Sequence, residues 1–264
     1  MAILKTRAIV IKTQEFKEND KLVWLYTEDL GKITAIAKGA RKNKSKYIAS
    51  TLPFCFGEFV LFKGKNLYTI NEITIIDSFQ QLLRDLDTIT YATYFNELID
   101  ITIENDEVNK ELFKDLVATF YFMKNDVMDI EVLARAFEIR ILKATGYELN
   151  FSRCVKCGKK ITLSNNIDST LYGPICKECE KLNSIYISNP TYNTLKFLNN
   201  FGMDKINRLI VSKASKLELY KILSFIISQN YTRKPKSLEM LDFLTAFQNE
   251  GKKNLDDLRV DSNK

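Results

Sequence analysis

The chain contains no histidine in its 264 residues. That absence removes the Ser-His-Asp and Cys-His families of nucleophilic catalysis, the HExxH metalloproteases, mixed Cys/His zinc fingers and deaminase zinc sites of the H-x-E type. Glycine is scarce, with nine in the chain, and none builds a phosphate cradle. Gly31-Lys32-Ile33-Thr34 lacks the upstream glycine and the spacing of a P-loop, and no GxGxxG occurs. No apolar run approaches the ~18–20 residues of a membrane span. The opening MAILKTRAIV has no signal-peptide core and enters directly on strand-like alternation. These absences predict a cytoplasmic protein with reduced thiols and no membrane partner. Catalysis by carboxylates and lysines alone stays open, without its commonest tools.

Cysteine, by contrast, is concentrated. Cys154 and Cys157 have two residues between them, an 18-residue spacer follows, and Cys176 and Cys179 repeat the pair. A C-x₂-C turn holds two thiolates close enough to grip one ion, and two such turns supply the closed tetrahedral set that Zn²⁺ takes. Gly158 stands where such a turn needs positive φ, and Gly173-Pro174 reads as a turn delivering the second pair. Disulfides would need an oxidising compartment. A thioredoxin-like site would need one CxxC beside a βαβ pattern, and iron–sulfur sites tend towards other spacings. One structural Zn²⁺ is therefore expected, with all four places filled by protein and none open to substrate. Cys55, between Phe54 and Phe56, reads as a small buried hydrophobe.

The net charge of +6 is unevenly spread. Residues 1–80 carry 13 basic and 8 acidic side chains, residues 81–150 carry 7 and 14, residues 151–182 carry 6 and 3, and residues 183–264 carry 13 and 8. An acidic middle between basic ends predicts modules with different surfaces, at least one facing a polyanion.

Thr6–Lys12, Lys21–Thr27, Gly31–Lys38, Phe56–Lys63 and Leu67–Ile76 read as short strands bounded by polar turns. Five strands without a crossover helix suggest a small antiparallel barrel, OB-like or SH3-like. Between the third and fourth lies Lys38-Gly39-Ala40-Arg41-Lys42-Asn43-Lys44-Ser45-Lys46-Tyr47, with five basic and no acidic residues from Lys38 to Lys46. A solvated loop is the bland reading. The functional one is a phosphate-tracking loop using Lys38, Arg41, Lys42, Lys44 and Lys46, ending in an aromatic able to stack a base. If each cation neutralised one phosphate, the single-strand salt slope would be about −3.5. Trp24 and Tyr26 share one face of the second strand with Leu22, and barrel aromatics are usually core rather than platform.

From Gln81 the hydrophobic period becomes helical. Asn109–Lys124 and Asp129–Thr145 follow, the latter with Asp129 as N-cap and Gly146 as stop. Asp85 and Asp87 point apart on a helix and make a poor paired-carboxylate site. Beyond the cysteines, Thr191–Phe201 and Ser215–Ser228 are amphipathic. A second basic cluster, Arg233-Lys234-Pro235-Lys236, opens a short helix from Ser237, in the cap position, to Phe247. The tail 248–264 reads as frayed.

These residues carry a resemblance to the RecO family of recombination mediators. Glu18-Asn19-Asp20-Lys21-Leu22, Lys38-Gly39-Ala40-Arg41 and Pro53-Phe54-Cys55-Phe56-Gly57-Glu58 occur in the family's order. Arg135-Ala136-Phe137-Glu138-Ile139-Arg140 before Gly146-Tyr147, then Arg153-Cys154 and the late Lys236-Ser237, continue it. One departure is Asn230, in the neighbourhood where the family often carries a histidine. The resemblance implies an α+β, multi-domain chain: an N-terminal five-stranded OB-fold barrel at 1–80, then a helical domain at 81–264 with an inserted Cys₄ zinc module at 151–182. It implies no catalytic turnover. It implies a bacterial, nucleoid-associated protein that binds single- and double-stranded DNA and the acidic C-terminal tail of single-strand-binding protein. With RecR, such a protein promotes annealing and RecA loading. An acidic tail ending in apolar residues needs an apolar groove rimmed by cations, for which Arg233, Lys234 and Lys236 are candidates. Two rival classes are a zinc-ribbon interaction or transcription factor and a carboxylate/Mg²⁺ nuclease. The second is disfavoured because the acidic residues lie away from the basic loop.

Overall fold

The computed structural model describes residues 3–231 and 233–242. Five strands come first: β1 Ile3–Phe16, β2 Asp20–Thr27, β3 Gly31–Ala37, β4 Phe56–Lys63 and β5 Tyr68–Asp77. They close into a barrel of order β1-β2-β3-β5-β4. β1 serves two neighbours, pairing β4 from Ile3↔Phe62 to Ile9↔Phe56 and β2 from Ala8↔Thr27 to Phe16↔Asp20. A register shift between Val10 and Lys12 lies where the strand changes partner and lets it bend. The 38–55 connection carries the chain across the barrel, so that β3 meets β5 in a short parallel contact at Ala35↔Tyr68 and Ile36↔Thr69. This Greek-key closure fits the OB-fold.

Inside the barrel, Ala8, Ala35 and Ala37 make room for Leu25, Phe59 and Leu61, all buried. Cys55 is fully buried among them, and burial pushes its thiol up to about 11, so it behaves as a small hydrophobe. The outward face of β1, β2 and β4 is also covered over much of its length. Ile9, Ile11, Tyr26, Phe54 and Phe56 belong to the helical core, with Tyr26 and Phe56 against Phe113 and Phe54 against Phe120. Tyr26 is thus core, but core between barrel and helices. Trp24, on the same outward face, stays partly exposed.

The helical part holds α1 Leu86–Thr102, α2 Lys110–Lys124 and α3 Ile130–Ala144. Asp85, Asn109 and Asp129 cap them, each side chain accepting first-turn backbone N–H groups. α3 ends in a Schellman motif, with Gly146 N donating to Lys143 O and Tyr147 N to Leu142 O. Every residue from Val132 to Leu142 is buried, because α1, α2, α4 (Asn189–Asn200) and α6 (Lys213–Asn230) pack around α3. A one-turn α5, Met203–Ile206, lies between α4 and α6.

Between α3 and α4 a small sheet of order β7-β6-β8 forms from β6 Asn166–Asp168, β7 Gly173–Pro174 and β8 Ser184–Tyr186. Gly173-Pro174 is therefore a strand paired to Asp168 and Ile167, not a turn. Its glycine is required by close packing, since a Cβ there would stand 2.6 Å from Asn150 O. The last basic cluster leads into helix from residue 236. Ser237 is inside that helix rather than its cap: its N and Oγ both donate to Glu97 Oε2 of α1, at 2.9 and 2.7 Å. Residues 243–247 of the expected helix, and the tail 248–264, lie outside the described residues.

Candidate metal centre and nucleic-acid interface

The two C-x₂-C turns converge. The Sγ atoms of Cys154, Cys157, Cys176 and Cys179 all lie within 4.8 Å of one another, with Cys157 and Cys176 at 3.7 Å. Zn–S bonds of about 2.3 Å in a tetrahedron would set sulfurs about 3.8 Å apart, whereas a disulfide would need about 2.05 Å. The set suits one ion better than a multi-iron cluster, whose ligating sulfurs stand farther apart. Backbone geometry prepares the site. Gly158, at φ 73°, lets its N–H return to Cys154 O at 2.9 Å and close the first knuckle. Val155 N donates to Pro174 O, tying that knuckle to β7, and Cys176 N donates to Cys154 Sγ at 3.3 Å.

Burial raises the Cys154 thiol, but the backbone N–H groups of Cys176, Cys157 and Lys156 outweigh it and bring it down to about 6. Proton sharing with Cys176 and Cys157 holds Cys179 up at about 12. Four sulfurs this close favour a cation as their common partner, so these residues can hold a metal ion. The local core is minimal: Cys154, Ile175 and Cys176 are its buried members. The base of the module is anchored elsewhere, Phe151, Ile167 and Ile187 being part of the main core. Tyr172 also donates to Asn230 Oδ1 of α6 at 2.7 Å, so Asn230 serves as the dock for this module.

The basic loop is built rather than loose. Asp20 Oδ1 accepts from Gly39 N at 2.8 Å, Asn19 O accepts from Arg41 N at 3.0 Å, and Gly39 takes a left-handed φ of 67° between them. The β1–β2 turn and the start of the loop are thus one hydrogen-bonded unit. The five cations divide in two. Arg41 pairs with Glu15 at 2.9 Å and donates to Glu18 O, and Lys46 reaches Asn71 O at 3.5 Å and covers Tyr47. Lys38, Lys42 and Lys44 are exposed and, among the described residues, in no ion pair. Tyr47 is 9% exposed, packs in the barrel core and donates its hydroxyl to Asn71 O at 2.7 Å. It is a structural plug and not the stacking aromatic its place in the sequence suggested.

Arg233, Lys234 and Lys236 are exposed and line a cavity of ≈ 390 Å³ with Lys12, Glu97, Asp100 and Ile101. It adjoins an apolar cleft of ≈ 480 Å³ between barrel and α1, where Ile11, Leu52, Phe54, Leu83 and Ile89 contribute. The nearby carboxylates are already engaged, Glu97 by Ser237 and Asp100 by Lys32 of β3 at 3.7 Å. Sequence reasoning missed Lys12, Asp20 and Glu97. Only the tertiary contact shows what each one holds.

The run Arg135–Arg140 proves to be internal. Glu138 Oε1 accepts from Arg135 at 2.7 Å and from the Tyr94 hydroxyl at 2.6 Å, all three fully or nearly fully buried, with Tyr220 stacked over the guanidinium. Arg140 donates to Leu198 O and Phe201 O, closing the end of α4, and lies beside Asp115, whose carboxyl burial pushes up to about 6. This motif organises α3 and touches no surface.

Two family models match nearly the whole described chain: Recombination protein O N terminal over residues 1–79 and Recombination protein O C terminal over residues 83–239. The chain is 54% identical over 244 residues to the DNA repair protein RecO of Clostridium novyi, covering 92% of this chain and 95% of that protein. It is 52% identical over 248 residues to the protein of the same name from Clostridium kluyveri, covering 94% and 96%. At greater distance, the DNA repair protein RecO of Acetivibrio thermocellus is 33% identical over 249 residues, covering 92% and 97%. With an OB-like barrel, a four-cysteine centre and both family models matched in order, the chain belongs to the RecO family.

Proposed function

We propose that this protein is a non-catalytic recombination mediator that binds single- and double-stranded DNA through its barrel and works in the cytoplasm on the nucleoid. The observation that carries the reading is the Lys38–Lys46 loop, pinned to the β1–β2 turn and presenting Lys38, Lys42 and Lys44 without carboxylate partners. Phosphate contact needs charge held at the surface and no ordered reading helix, so binding is sequence-independent. Arg41 and Lys46 hold the loop's shape, and the three unpaired lysines make the contacts. Changing Lys38, Lys42 and Lys44 to glutamine is expected to weaken DNA binding and flatten the single-strand salt slope by about 2, from about 0.7 per phosphate. Annealing of strands coated with single-strand-binding protein should slow in the same variant. An unchanged slope removes the loop from the mechanism.

In this reading residues 1–80 engage DNA, residues 81–264 carry the contacts with RecR and, through it, RecA loading, and the groove for a partner's tail lies between the two. The ion held by the four cysteines is a structural Zn²⁺, and it stabilises the module without touching substrate. The acidic tail of single-strand-binding protein would lay its apolar end in the cleft between barrel and α1, with its carboxylates towards Lys12, Arg233, Lys234 and Lys236. Replacing Arg233, Lys234 and Lys236 with glutamate is expected to lower affinity for a tail peptide at least tenfold. Affinity that stays intact excludes this groove.

A further inference from the structure

β5 has a strand on both sides only at its start. Tyr68 and Thr69 face Ala35 and Ile36 of β3, and beyond them β4 is its one strand partner. The basic loop then touches Asn71, whose carbonyl accepts from the Tyr47 hydroxyl and from Lys46. From Glu72 to Asp77, among the described residues, the backbone makes no hydrogen bond outside the β4–β5 ladder. Glu72, Thr74, Ile75 and Ile76 are exposed, Ile75 and Ile76 at 43% and 47%. Folded proteins blunt such edges with proline, lysine or a cover, and Glu72-Ile73-Thr74-Ile75-Ile76 holds neither proline nor lysine. Register shifts lie at both ends, between Val60 and Leu61 and between Phe56 and Gly57 of β4. The regular part of the open edge is therefore Glu72, Ile73, Thr74 and Ile75, opposite Val60, Phe59, Glu58 and Gly57.

The two faces of this edge call for different neighbours. Ile73 lies on the inward face, across from the buried Phe59 and packed on the barrel core. Ile75 shares that face but has Gly57 across from it, where a Cβ would stand 2.6 Å from Thr74 O, so β4 can offer it no side chain. An apolar neighbour for Ile75 has to come from the open side. Glu72 and Thr74 lie on the outward face. Glu72 has no ion-pair partner among the described residues, whereas Glu58 and Asp77 are taken by Lys5 and Lys124. The fitting occupant is a strand that alternates apolar residues with a polar set and brings a cation to Glu72. A second copy of β5 does not do this. In a two-fold antiparallel pair facing residues share a face, so the axis passes through a residue. Through Ile73, Thr74 or Ile75, Glu72 would meet Thr74, Ile76 or Ser78, never a cation. Four regular residues also span only about 14 Å, too little to bury the roughly 1,200 Å² of a stable pair of folded proteins. Nucleic acid has no alternating backbone ladder to offer and would meet Glu72 charge against like charge.

We propose that the open edge of β5 receives an extended, cation-bearing segment of a partner protein, added antiparallel to β5 as one more strand. Its backbone pairs with Glu72 to Ile75, apolar β-branched residues stand opposite Ile73 and Ile75, and an arginine or lysine stands opposite Glu72. The irregularities at both ends limit the added strand to about four or five residues, so the edge takes a short segment and does not propagate into a stack. The site uses none of Lys38, Lys42 and Lys44 and is independent of the DNA-binding reading.

The probe is a fluorescein-labelled peptide, Thr-Val-Thr-Val-Arg, whose arginine falls opposite Glu72 in the antiparallel register. Anisotropy titration with the full chain is expected to show saturable binding. Replacing the peptide's arginine with glutamate should weaken it about 2–30-fold, as an attractive cross-strand pair becomes a repulsive one. Glu72→Lys, at an exposed position outside both cores, should reverse that order of preference. N-methylating one alternate set of the peptide's amides should abolish binding while the other set leaves it intact, a pattern that side-chain contact alone does not produce. Amide exchange from Glu72 to Ile76 should slow when the peptide binds. No binding, equal affinity for the two peptides, or indifference to both methylated sets overturns the proposal. Self-association of the chain that Glu72→Lys abolishes gives the edge to a second copy and overturns it too.

Discussion

Removing the metal with a chelator, or replacing Cys154 with serine, is expected to unfold the tip of the 151–187 module while barrel and helices stay folded. The few buried members of the module's own core, Cys154, Ile175 and Cys176, cannot by themselves offset the conformational entropy of ordering the segment that joins the cysteine pairs. A structural Zn²⁺ in the proposed site would contribute about 10 kcal/mol or more to that folding. Phe151, Ile167 and Ile187 sit in the main core, so disorder should stop at the base of the module. Amide exchange would rise sharply between the cysteine pairs and remain slow in β1–β5 and α3. The Tyr172–Asn230 hydrogen bond should loosen with the module, exposing the end of α6. Any DNA binding by the barrel should largely survive, because among the described residues no hydrogen bond or ion pair joins the 38–46 loop or β1–β3 to the four cysteines. A Cys154→Ser protein that kept its module protected yet bound no DNA would contradict both halves of this account.

A second large effect is expected at Glu138. Its carboxylate is fully buried, held by Arg135 and the Tyr94 hydroxyl, and it is the counter-charge to a guanidinium that is itself 3% exposed. Glu138→Ala would strand that guanidinium in the interior, where Arg135 Nε and Nη1 already lack protein partners. Breaking a buried pair from one side costs about 3–5 kcal/mol, a large share of the roughly 5–15 kcal/mol that holds a domain together. The urea midpoint should fall accordingly. The double replacement Arg135→Met with Glu138→Leu removes both charges and keeps most of the volume, so it should be far milder than E138A, and near neutral if packing is good. Equal losses in the single and double variants would mean that packing, and not stranded charge, carries the effect.

These outcomes depend on contacts of different range, and so did their legibility. Asp129 was readable as a cap because its capping bonds reach only Glu131 and Val132, although its other oxygen also takes Lys216 of α6, and Phe56–Lys63 as a strand because its alternation is local. The cysteine spacing was readable because a C-x₂-C turn places its own two thiolates. Tyr47 was not readable. A basic loop ending in an aromatic looks the same whether the ring stacks on a base or plugs a barrel, and the hydroxyl's partner lies 24 residues away. The division of the five loop cations was hidden for the same reason, since Glu15 comes from β1, Glu18 from the β1–β2 turn and Asn71 from β5. The run Arg135–Arg140 carries two arginines and a glutamate that composition alone would send to the surface; α3 is buried on every side, and the charges go in with it.

The local elements, the four-sulfur ligand set and the order of motifs can be read from the chain alone, because each is set by neighbours a few residues away. The tertiary structure decided which face of the barrel is enclosed. Alternation along β2 says that Val23 and Leu25 point one way and Leu22, Trp24 and Tyr26 the other, but both faces are apolar. Barrel closure buries the first set, and helices bury the second only as far as Tyr26. That partial cover leaves Trp24 half in the core and half at a basic surface.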